Sequence, residues 1–282
     1  MELRVIATGV GFCEGPVWTA DGRLVVTSID HSCLYLIKGG RATILARTGG
    51  GPNGLTEGAD GTLYVTQNGG VYGAGERVAQ LLEAGIQAVS GGRVSYLARG
   101  LDAPNDLCFG PDGRLYFTDP RGPATLQNTL PGRVYVMRPG SPAELLLEGP
   151  AFTNGIAFGP EPEFLYVAET FRGRVLRYRL RDGRAGEPEV FCTTEPGLPD
   201  GLCFDVNGQL FVAATLAREV QVFDPSGRRV ARLPCGERSL PTNCCFGGEQ
   251  GTALYVTDSL GQRVLAFEMG VRGLPLYPRR AP

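Results

Sequence analysis

Oxygen-bearing side chains recur at one register of this sequence. The segments FCEGPVW (12–18), GPNGLTE (51–57), APNDLCF (103–109), FTNGIAF (152–158), LPDGLCF (198–204) and LPTNCCF (240–246) align on their last residue. Four positions earlier they carry Glu14, Asn53, Asn105, Asn154, Asp200 and Thr242. Two carboxylates among three amides and a hydroxyl form the donor set of a hard cation, since Ca²⁺ takes about six to eight oxygens from carboxylates, amide carbonyls and water. His and Cys, the donors that zinc usually recruits, are absent from the register. The next position is Gly15, Gly54, Gly155 and Gly201 in four segments, where glycine permits a close backbone approach. Asp106 and Asn243 replace it in the other two and add polar groups to the floor of any site built here. Any single Asn at a strand start could instead serve a local turn; six polar residues in register point to a shared site.

A second repeat supplies the elements that would position them. The run Asp-Gly-x-Leu-aromatic-Val-Thr appears as DGRLVVTSID (21–30), DGTLYVTQNG (60–69), DGRLYFTDPR (112–121), PEFLYVAETF (162–171), NGQLFVAATL (207–216) and GTALYVTDSL (251–260). Asp-Gly and Asn-Gly are hairpin turns, and the β-branched and aromatic residues after them suit a strand. The period of roughly 40 to 50 residues is that of a four-stranded propeller blade. Six copies predict an all-β, six-bladed β-propeller occupying 1–282 as one domain, with blade cores near 12–48, 51–99, 103–149, 152–194, 198–235 and 240–269. The strand at 3–9 is expected to complete the last blade and remove an exposed sheet edge. With the first strand of each blade innermost, the six aligned side chains start at one mouth of the central channel.

Composition narrows the function. The chain has 282 residues, 27 Lys+Arg against 29 Asp+Glu and a formal net charge of −2, with no basic stripe to neutralise a phosphate backbone. Nucleic acid is therefore not an expected partner. Neither is a membrane, because MELRVIATGV lacks a long apolar run, and a cytoplasmic location is expected. The eight cysteines form no CxxC pair, which favours free buried thiols.

At these residues the sequence resembles the regucalcin (senescence marker protein)/gluconolactonase family of metal-dependent lactonases, from about Arg4 to Phe267. The resemblance is carried by EGPVW (14–18), PNDLCFGPDGRLYFTDP (104–120), TNG (153–155) and PDG (199–201). It implies one divalent metal, Ca²⁺ first with Mg²⁺, Mn²⁺ or Zn²⁺ as alternatives, held by Glu14, Asn154 and Asp200. Asn105 is implied as a fourth ligand or a contact to metal-bound water. It further implies that Asp200 is the general base or nucleophile opening a small lactone. Sugar-lactone enzymes of the group carry an Arg two residues before the blade-3 Asn; here Ala103 stands there, a departure that bears on an aldonolactone substrate and not on the metal ligands. A bound metal polarises a carbonyl and stabilises the oxyanion formed on attack.

The ends of the second strands carry Asp119 and Glu169, candidates either to reach substrate or to cap their strands. With Asn53, Asp106 and Asn243 they make up the expected substrate-facing set. Expansions at 68–90, with a short helix expected over 75–85, and at 121–132 place Tyr72, Arg77 and Gln127 as further pocket candidates. His31, the single histidine, is either a substrate contact or a surface turn residue. Other readings of the same residues are a hydrolase for phosphotriesters, lactams or cyclic imides, and a non-catalytic binding propeller.

Overall fold

The computed structural model describes residues 2–71, 78, 81–121, 124, 128 and 130–279. Six antiparallel sheets follow one another along the chain, each ordered from an inner to an outer strand. The inner strands are Cys13–Trp18, Pro52–Glu57, Leu107–Phe109, Thr153–Phe158, Pro199–Phe204 and Pro241–Gly247. Leu3–Thr8 pairs antiparallel with Arg263–Glu268 and supplies the outer strand of blade 6, as the sequence predicts. Blade 4 adds a two-residue strand, Arg184–Ala185, at the tip of its third strand.

Local chemistry explains the hairpins. Gly22, Gly61, Gly113 and Gly208 hold φ between 72° and 78°, a conformation that glycine adopts without a Cβ penalty. The second strands, such as Leu24–Ser28 and Leu210–Ala214, are buried along their whole length, because a neighbouring blade covers each face.

Aromatic pairs pack successive blades together. Tyr64 meets Phe109, Tyr116 meets Phe158, Tyr166 meets Phe204 and Phe211 meets Phe246, all edge to face with centroids 4.9 to 5.1 Å apart. Tyr255 stacks on Trp18 at 5.7 Å and closes the ring. Between blades 1 and 2 the corresponding residues are Val25 and Glu57, and no aromatic pair forms.

The chain after blade 6 crosses the end of the channel at which the inner strands finish. Leu274 N donates to Phe204 O at 2.8 Å, Tyr277 is buried against Phe158, and Arg279 Nη2 donates to Trp18 O at 2.7 Å. Beneath this crossing lies a cavity of about 80 Å³, lined mostly by apolar side chains and reaching Asp106 and Asn243. One expectation is corrected: Gly85–Ser90 belongs to no insertion but is the third strand of blade 2, paired with Leu63–Gln67. Its Ile86 and Val89 are buried strand residues, and residues 81–84 have no regular structure. Val78 has none either, and the rest of the expected helix lies outside the described residues.

Candidate active site

The aligned polar residues sit where the inner strands begin. In five blades the pairing register slips at that point: between Glu14 and Val17, Pro52 and Leu55, Thr153 and Ile156, Pro199 and Leu202, and Pro241 and Asn243. Such bulges re-aim a side chain out of the normal alternation. In blade 3 the inner strand starts only at Leu107, so Asn105 and Asp106 precede it. Glu14, Asn53, Asn105, Asn154, Asp200 and Thr242 are all buried.

Threonines of the second strands fix this ring. Thr27 Oγ1 donates to Asn53 O at 2.5 Å and Thr118 Oγ1 to Asn154 O at 2.7 Å. Thr66 Oγ1 donates in the same way to Asn105 O. Each hydroxyl reaches from one blade to the ring residue of the next. In blade 6, Thr242 Oγ1 donates to Cys13 O at 2.8 Å, beside Glu14. Blades 4 and 5 have Ala168 and Ala213 at the threonine position. A Cβ on Gly155 would lie 2.2 Å from Asp200 O, as one on Gly15 would lie 2.4 Å from Asn53 O, so glycine is what lets these blades press against the backbone of the next. These threonines were present in the sequence repeat, but only the closed ring shows what their hydroxyls reach.

Charge accumulates here without compensation. Burial raises Glu14 well above the ordinary carboxylate range, and Asp200 and Asp106 push it further; the Asn243 amide acts in the opposite direction. Burial likewise raises Asp200, with Asp106 adding to the effect and Asn154 opposing it. Asp106 is pushed up to about 6, chiefly by burial. No Lys, Arg or His stands among the groups that chiefly shift these three.

Two oxygens of the ring, Asn154 Oδ1 and Asp200 Oδ1, are buried with no hydrogen-bond partner. A buried polar atom left unpaired costs about 1–3 kcal/mol, more when charged. Unpaired oxygens among mutually repelling carboxylates fit a cation that takes oxygen ligands. Among the described residues no three His, Cys, Asp or Glu side chains are placed to hold a metal ion. Glu14 and Asp200 would therefore need amide oxygens, which the ring offers at Asn53, Asn105 and Asn154.

The remaining candidates separate from this group. Asp119 Oδ1 accepts from Ala103 N at 2.7 Å and its Oδ2 from Asp102 N at 3.1 Å. Glu169 Oε1 accepts from Ala151 N at 2.7 Å, while Oε2 pairs with Arg174 Nε at 2.5 Å. Asp258 in blade 6 does the same, accepting from Leu240 N at 2.8 Å and pairing with Arg263. The ends of these second strands thus hold the loop that leads into their own inner strand, the capping alternative. Asn53 and Asn243 stay with the ring and its floor. His31 is exposed on a blade-1 loop, its Nδ1 2.9 Å from Tyr35 Oη. Tyr72, Arg77 and Gln127 lie outside the described residues.

A six-bladed propeller with a buried carboxylate–amide ring at one mouth defines the class of protein. The chain belongs to the SMP-30/gluconolactonase/LRE-like family, whose model matches residues 12–260. It is similar to a gluconolactonase of Zymomonas mobilis, 26% identical over 91% of this chain and 79% of that one. It is also similar to bovine regucalcin, 28% identical over 62% of this chain and 65% of the relative. The solved structure of a calcium-binding regucalcin from Agrobacterium tumefaciens superposes with a TM-score of 0.80 at 21% identity, covering 98% of this chain and 97% of that one; at that identity the likeness is one of fold. Among the described residues no helix is long and apolar enough to cross a membrane.

Proposed function

We propose that this protein is a hydrolase that opens a small lactone with the help of one divalent cation, calcium first. The observation that carries the reading is the pair of buried, unpartnered oxygens on Asn154 and Asp200 within a cluster of carboxylates that no protein cation neutralises. A gluconolactonase among the relatives supports the substrate class, and the set of oxygen donors without a nitrogen or sulfur donor supports a hard cation.

Glu14, Asn105, Asn154 and Asp200 would hold the cation. When bound, a divalent ion supplies Lewis-acid polarisation of the lactone carbonyl and stabilisation of the developing oxyanion. Asp200 takes the proton of the attacking water as general base. The ring carbon–oxygen bond then breaks, and the alkoxide leaving group recovers a proton, so that lactone and water become one hydroxy acid. To act as base, Asp200 must be ionised, and a neighbouring positive charge opposes the burial and the Asp106 repulsion that hold its proton on. The strand bulge between Pro199 and Leu202 and the close packing of Gly155 on its carbonyl fix where that carboxylate stands.

The test is acid release from a panel of lactones, read with a pH indicator, with Ca²⁺, Mg²⁺, Mn²⁺ or Zn²⁺, after chelation, and with Asp200→Ala. Turnover lost on both chelation and substitution supports the reading. Failure on every lactone by a protein that binds a divalent ion rejects the substrate and directs attention to phosphotriesters, lactams and cyclic imides.

A further inference from the structure

One step below the ring, the register reads Gly15, Gly54, Asp106, Gly155, Gly201, Asn243. Side chains therefore stand only in blades 3 and 6, three blades apart in a ring of six. The two are anchored alike. Leu107 N donates to Asp106 Oδ1 at 2.9 Å, and Cys244 N donates to Asn243 Oδ1 at 2.8 Å. Their own backbone N–H groups donate to Thr118 Oγ1 and Thr257 Oγ1, both at 3.0 Å. Held in this way, the side chains meet across the channel: Asn243 Nδ2 donates to Asp106 Oδ2 at 3.3 Å. Each lies against the glycine of the preceding blade. A Cβ on Gly54 would come within 2.6 Å of Asp106 Oδ1, and one on Gly201 within 2.0 Å of Asn243 Oδ1.

We propose that Asp106 and Asn243 form a cross-channel tie that braces the backbone of Asn105 and Asp200 beneath the ring and so supports its affinity for a divalent cation. This inference rests on the cation reading of that ring. Asp106 directly follows Asn105, and Asn243 packs against Gly201, which directly follows Asp200. The tie thus holds the backbone beneath two of the residues that would bind the cation. Both residues act through others and are positioning residues. Partners behind the ligands orient them and tune their basicity, and losing one typically lowers metal affinity about 10–100-fold.

The experiment is titration calorimetry with Ca²⁺ on the wild type, Asp106→Asn and Asn243→Ala, with melting temperatures recorded in chelator. The expected result is a Ca²⁺ affinity about 10–100-fold weaker in both variants. Asp106→Asn is expected to melt in chelator no lower than the wild type, because it removes a buried charge. A purely structural tie would give the reverse pattern, a lower melting temperature with unchanged Ca²⁺ affinity, and that result overturns the proposal. If Asn243→Ala does not fold, Asp106→Asn decides the matter alone. A wild-type protein that binds no divalent cation overturns the ring reading itself, and the tie's role with it.

Discussion

The two ends of the central channel are built from the same six inner strands and obey opposite rules. Where the strands begin, carboxylates are buried beside one another and two oxygens have no partner. Where they finish, the aligned residues are aromatic in five blades of six, and each of those rings packs against its neighbour blade. Edge-to-face pairs of this kind contribute about 0.5–1.5 kcal/mol each beyond the area they bury. The even blade-to-blade packing at one end can therefore hold an unfavourable arrangement at the other. Stability and chemistry are separated along the strands by four residues.

The largest effect that tests this separation is Asp200→Ala. Losing a general base alone lowers turnover about 10²–10⁴-fold, and losing a cation ligand adds to it. The same variant is expected to melt in chelator at or above the wild-type temperature, since an unpaired buried carboxylate is gone. A fall in both quantities would mean that Asp200 holds the fold together, and the division between the two ends would fail. The opposite substitution is Phe158→Ala at the closed end. Removing a buried phenylalanine costs about 3–5 kcal/mol, and Phe158 touches both Tyr116 and Tyr277. Chemical denaturation should show that loss, while kcat/KM of the folded fraction stays close to wild type.

How far the sequence reaches differs between the same two ends. Hairpin turns and strand composition are local, so six blades and the register of Glu14 through Thr242 could be read directly. Whether a carboxylate is a ligand or a cap depends on what faces it. Asp119 and Glu169 look alike in sequence to site residues, yet each accepts backbone N–H from the segment that leads into its own inner strand. The contact of Asp106 with Asn243 spans 137 residues and exists only when the ring closes. The crossing by Gly273 to Arg279 has no repeat to announce it. Its trace in the sequence is Leu-Pro-Leu-Tyr at 274–277, an apolar run after the last blade ends at Glu268.

A smaller effect concerns pH. Burial holds Asp106 and Asp119 at about 6 in the folded chain, above the value of about 3.9 for an unfolded aspartate. The folded state therefore binds more protons than the unfolded state in this interval, and stability falls as pH rises. That contribution is fully present below about pH 4 and is lost as pH climbs through 6. In chelator, the melting temperature should decline between pH 4 and 7, and Asp106→Asn should flatten the curve. A flat wild-type profile would show that the polar end is not strained by its charges.

The smallest expected effect lies at the one blade interface without an aromatic pair. Arg279 approaches Glu57 there to 3.8 Å, with side-chain exposures of 32% and 4%. At that separation and exposure an ion pair contributes less than about 1 kcal/mol. Glu57 keeps a partner in any case, because its Oε2 accepts from Ala20 N at 2.7 Å. Arg279→Ala should consequently lower stability only slightly, through the lost bond to Trp18 O, and leave Ca²⁺ affinity and turnover unchanged. A double-mutant cycle with Glu57→Gln isolates the charge pair from that bond. A coupling well above 1 kcal/mol would mean that the crossing segment replaces the missing aromatic contact between blades 1 and 2, so that the closed end depends on one terminal arginine as much as on its ring of aromatic side chains.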